Sequence, residues 1–85
     1  MAYTQEDVDL VEKHVAQGER NVLQQQQIVI GLSESGYPTG EALELLAALE
    51  RSLHHLQQRR SRIRRAVYQQ SKERVAMTGL RAVRH

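Results

Sequence analysis

The sequence predicts an all-α fold, a two-helix antiparallel hairpin of coiled-coil character that dimerises into a four-helix bundle. Three observations predict it. Val8, Val15, Val22 and Val29 recur every seven residues, and Val11, Gly18, Gln25 and Leu32 recur in the same way, offset by three. That is the heptad spacing that holds one stripe of a helix against a partner helix. Gly36-Tyr37-Pro38-Thr39 then supplies a stop, a breaker and a start signal within four positions. Beyond it Ala42, Leu46, Leu49, Leu53, Leu56, Ile63 and Val67 return at spacings of three and four, interrupted at Arg60.

The first helix is expected over about residues 5–35. Thr4 stands before it with Asp7 three residues later, close to a capping box, and Glu6, Asp7 and Asp9 suit the positive end of the helix dipole. Gly18 inside the helix costs on the order of 1 kcal/mol relative to alanine, so close approach of a bulky side chain from the second helix is its expected role. The run from Gln24 to Gln27 spreads around all sides of a helix, and only Gln25 points at the seam. A polar side chain there sets register or oligomeric state at some cost in stability.

Gly36 provides the left-handed position just past the helix, and Pro38 pushes Tyr37 into extended backbone. Thr39 is expected to cap the second helix, over about residues 40–76, with Glu41 and Glu44 near its start. Reflection about the turn places residues whose numbers sum to about 75 side by side. Val29 then meets Leu46, Val22 meets Leu53, Val11 meets Ile63 and Val8 meets Val67. Gly18 falls opposite Leu56, and small against large is what interdigitating helices need. Val15, Leu32 and Leu49 complete the expected seam. The hairpin domain is expected over residues 1–78, with a basic, disordered tail over 79–85.

Eighty-five residues allow one domain with a small core. Cysteine, phenylalanine and tryptophan are absent, and the aromatics are Tyr3, Tyr37 and Tyr68. Without cysteine there is no disulfide framework and no thiolate metal site. The opening MAYTQEDVDL is acidic and lacks an apolar run, unlike a signal peptide. The longest apolar runs, Ile28 to Ile30 and Leu45 to Leu49, are too short to span a bilayer. A cytoplasmic protein with no membrane partner is the expectation.

One seam is thin for a chain of this length, and a second apolar stripe lies beside it. Ala16, Leu23, Ile28 and Ile30 on the first helix and Leu43 and Leu45 on the second gather toward the turn end. Left exposed they make an apolar patch, and a homodimer of hairpins covers it. An unidentified protein partner docking there is the other reading.

The net charge of +2 conceals an asymmetry. Residues 1–50 hold nine acids against Lys13 and Arg20, a net of −7, and residues 51–85 hold ten Lys or Arg against Glu73, a net of +9. Folding at the turn brings the signs together, with Asp7, Asp9 and Glu12 expected to neutralise the arginines across the hairpin. The alternative is that Arg59, Arg60, Arg62, Arg64, Arg65, Lys72 and Arg74 bind nucleic acid or another polyanion. No helix-turn-helix spacing or aromatic stacking platform accompanies them.

His14, His54, His55 and His85 form no metal-ligand spacing, the serines lack a partnering His and acid, and there is no phosphate-binding glycine loop. The sequence therefore offers no catalytic, cofactor-binding or metal-ligating residue. A non-enzymatic interaction or oligomerisation module, with regulation as one such role, is the expected function.

The stretches His14-Val15-Ala16-Gln17-Gly18-Glu19-Arg20, Gln24 to Leu32, Gly36-Tyr37-Pro38-Thr39 and Leu45-Leu46 to Ile63 together resemble a group of small proteobacterial helical-hairpin proteins of unassigned activity. The resemblance covers about residues 8–63 and implies a helical hairpin. Its turn often reads Gly-His-Asp-Thr where this chain has Tyr37 and Pro38, and a histidine common near Leu56 is absent.

Overall fold

Two helices and no strands make up the described part of the chain. α1 is Gln5–Glu34 and α2 is Gly40–Val83, packed against each other as a hairpin. The structure is a computed structural model; it describes the backbone of residues 2–83 and the side chains through Ala76. The molecule is a rod, with Cα extents of 76 × 15 × 14 Å.

Each end of α1 is fixed by local chemistry. The Thr4 side chain accepts from the Asp7 backbone N–H at 3.3 Å while the Thr4 N–H donates to the Asp7 carboxylate at 2.8 Å. This is a full capping box, and it satisfies two amides that the helix itself leaves orphaned. At the other end Ser35 is the cap and Gly36 takes φ +76°. The Tyr37 N–H donates to Leu32 O at 2.9 Å and the Gly36 N–H to Ser33 O at 3.1 Å. That paired bonding is the Schellman motif, and it requires a left-handed residue where a side chain would be strained. The chain then turns through Pro38, and Thr39 O accepts from Leu43 N–H at 2.8 Å to open α2.

The seam holds the core. Val11, Val15 and Ile63 are each 2% exposed. Val8, Gly18, Val22, Val29, Leu32, Leu46, Leu49, Leu53, Leu56 and Val67 are half-buried along the same line. A pair of helices covers only one stripe of each, so most seam side chains keep one edge in solvent. At Gly18 the closest approach is to Leu53: an added Cβ would stand 3.1 Å from Leu53 Cδ1 and 3.5 Å from Leu56 Cδ1. The expected neighbour Leu56 is there, but Leu53 is nearer.

Gln25 is the polar member of the seam, at 7% exposed, and its Nε2 donates to Ala42 O at 3.0 Å. A buried amide bonded across the interface fixes the register of the two helices next to the turn, because a slip would leave it unpaired. Gln25→Ala is expected to lower stability by about 1–2 kcal/mol. In an 85-residue chain this shifts Tm down by roughly 4–16 °C, read by thermal circular dichroism. An unchanged Tm would remove the bond from the account.

α2 departs from the expected boundary. It continues as helix through Gly79 to Val83, where a helix end near 76 and a disordered tail from 79 were expected. A lone glycine costs about 1 kcal/mol. Ala76, Met77, Leu80, Arg81 and Ala82 around it are good helix formers, and no proline follows to stop the chain. The last residues of the expected tail, Arg84 and His85, lie outside the described residues.

Candidate protein-interaction site

A helix pair this slender leaves large apolar side chains uncovered. Leu23 is 57% exposed, Ile30 50%, Leu43 47%, Leu45 51% and Ile28 45%, while Ala16 is half-buried. All of them lie in the half of the rod nearest the turn, Ala16 farthest from it.

Helix geometry divides them between two flanks. At about 100° per residue, Leu23 and Ile30 are seven positions apart and share a direction, with Ala16 another seven before. Ile28 is five positions from Leu23 and so points about 140° away. It lies in line with Leu10, itself exposed, on the opposite flank of α1. The same counting places Leu43 and Leu45 on opposite sides of the α2 seam.

Side-chain contacts fix which flank is which. Glu12 lies in line with Ala16, four residues on, and crosses to α2: its Oε2 stands 3.7 Å from Arg60 Nη1, and its Oε1, shielded from solvent, meets Arg64 Nη2. The flank that carries Ala16, Leu23, Ile30 and Leu43 is therefore the Glu12 flank. On the other flank His14, Gln17 and Asn21 face Ser52, Leu49 and Leu56 across a shallow groove. Ile28 and Leu45 extend that second flank toward the turn. The six candidate residues for a dimer face thus form two patches, four on one side and two on the other.

The charged residues are also divided. Arg60 and Arg64 clamp Glu12 across the hairpin. Asp7 is occupied by the cap of its own helix, and Asp9 accepts from Gln5 Nε2 at 3.2 Å. Of the three acids expected to neutralise the arginines, Glu12 alone makes an ion pair with them among the described residues. Arg59 lines a cleft with Tyr3, Asp7, His14 and Ile63, and Arg74 lines another with Tyr3, Thr4 and Val67. Arg62, Arg65 and Lys72 are exposed and make no ion pair among the described residues.

His54 and His55 stand side by side, ring centroids 6.3 Å apart and planes tilted by 55°, on the exposed side of α2. Among the described residues no group of three His, Cys, Asp or Glu is placed to hold a metal ion. Among them too, no helix is long and apolar enough to cross a membrane.

No protein-family model matches the sequence, and no curated protein or solved structure shows significant similarity to it. The functional reading therefore rests on the chemistry of the hairpin's own surfaces.

Proposed function

We propose that this hairpin is a non-enzymatic interaction module whose partner is a second copy of itself. Two hairpins meet on the Glu12 flank, burying Ala16, Leu23, Ile30 and Leu43 of each in a four-helix bundle. The observation that supports this is the heptad-spaced pair Leu23 and Ile30, both at least half exposed beside a core that, among the described residues, holds three buried apolar side chains, Val11, Val15 and Ile63. Full burial of a Leu or Ile side chain contributes roughly 1.5–3 kcal/mol, so covering the remaining half of each is a substantial gain for a chain with so little interior. In a four-helix bundle each helix contacts two neighbours, and its apolar stripe is correspondingly wide. α1 has that width only when the Leu23 and Ile30 stripe is added to the valine seam.

Sedimentation velocity over a concentration series tests the reading. A single species of twice the chain mass, persisting into the low micromolar range, is expected. A monomer across the whole series would overturn it.

The opposite flank gives a built-in comparison. Ile28→Glu with Leu45→Glu is expected to leave the dimer mass unchanged, because those side chains remain in solvent when the Glu12 flank is covered. Conversion to monomer by that pair would move the interface to the other flank.

A further inference from the structure

The face of α2 turned away from α1 is used by neither the seam nor the proposed dimer. From Arg51 to Lys72 the chain contains no Asp or Glu at all. Within that stretch Arg51, Arg62, Arg65 and Lys72 point into one arc of about 80°, over a length of about 32 Å, on the side opposite Arg60 and Arg64. All four are exposed, and none makes an ion pair among the described residues.

We propose that this outer arc of α2 binds the phosphate backbone of double-stranded DNA. Arg60 and Arg64 are engaged by Glu12 on the other side of α2, so the outward-facing charge is carried by the four cations of the arc. Three of the four are arginines, whose planar guanidinium matches phosphate oxygens in a two-point contact. Duplex DNA presents one negative charge per about 1.7 Å of axis, a lattice long enough to engage every cation of a 32 Å stripe at once.

The other anionic surfaces fit less well. His54, His55, Gln58 and Gln69 fill the arc between the cations, with no large apolar side chain to enter a lipid surface. Tyr68, at the edge, is the one tyrosine nearby, with no Phe or Trp in the chain, whereas single strands need a series of stacking platforms. The outward side of α1 in a second copy is a poor counterpart, since it mixes Glu6, Asp9 and Glu34 with Lys13 and Arg20. A helix of about 10–12 Å diameter fits the B-form major groove, about 12 Å wide, whereas A-form RNA offers a deep, narrow one.

Fluorescence anisotropy of the full chain with a 20-bp duplex tests the proposal. Four phosphate contacts predict that affinity falls about 150-fold between 50 and 200 mM salt, from a slope of about −0.9 per contact. Arg62→Glu with Arg65→Glu removes two contacts, so binding weakens at 50 mM salt and the residual fall shrinks to about 12-fold. Lys13→Glu with Arg20→Glu makes the same charge change on α1 and leaves both quantities at the parent values. Circular dichroism and solution mass, unchanged in both pairs, establish that the fold is intact. The proposal is overturned by any of four results: no binding at 50 mM salt, equal weakening by the two pairs, tighter binding to the corresponding single strand or RNA duplex, or preference for vesicles of anionic phospholipid.

Discussion

Gly18→Leu destabilises the hairpin by about 2 kcal/mol net, lowering Tm by roughly 8–16 °C. A Cβ alone would already come within 3.1 Å of Leu53 Cδ1. An isobutyl group has nowhere to go without parting the helices in mid-seam, next to the fully buried Val15. Leucine also recovers most of the roughly 1 kcal/mol that glycine costs a helix, so the overpacking must outweigh that gain. Gly18→Ala separates the two effects. Its methyl meets the mobile end of Leu53, which shifts by a few tenths of an ångström, and the gain in helix propensity leaves stability equal to the parent or higher. Thermal unfolding of both variants checks this. A leucine variant as stable as the parent would mean that the helices do not approach closely at Gly18.

Leu23→Glu with Ile30→Glu is expected to convert the proposed dimer to a monomer of 9.7 kDa. Both positions are at least half exposed in the hairpin, so the single chain tolerates the carboxylates. In the proposed bundle the same substitutions would place four acids in one apolar interface, two from each copy. Removing an unpaired charge from water costs several kcal/mol, more than the burial of two half-exposed leucine-sized side chains returns. The helix content by circular dichroism stays close to that of the parent, which separates loss of association from loss of fold. A dimeric mass for this variant would place the interface elsewhere.

The hairpin was legible because its determinants are local or strictly periodic. Thr4 and Asp7 fix one end of α1 by themselves, and Gly36 fixes the other. The valine heptad selects one stripe of α1 whatever it packs on. The closest neighbour of Gly18 was less legible. Whether Leu53 or Leu56 comes nearer depends on the rotation of α2 about its own axis, which many small side-chain contacts decide together. The end of α2 was missed for a different reason. Nothing after Gly79 forbids helix, and the expectation of a tail rested on the lack of a partner beyond the reach of α1.

The surfaces were partly written in the numbering. Ile28 and Leu23 are five apart, a spacing that separates them around a helix although both lie beside the seam. The fate of the arginines required the fold. Arg60 and Arg64 are one turn apart, a spacing that brings two guanidinium groups to a single acid. Which acid receives them is decided by the register, and Glu12 does so while Asp7 closes its own cap. Once those two are withdrawn, the outward cations stand apart as a separate face.

The central claim is association through the apolar Glu12 flank, and light-scattering mass after size exclusion, at low and at high salt, tests it most directly. Twice the 9.7 kDa chain mass is expected at both salt concentrations, since apolar burial is not weakened by screening. A monomer at both, or a dimer that dissolves at high salt, would contradict it.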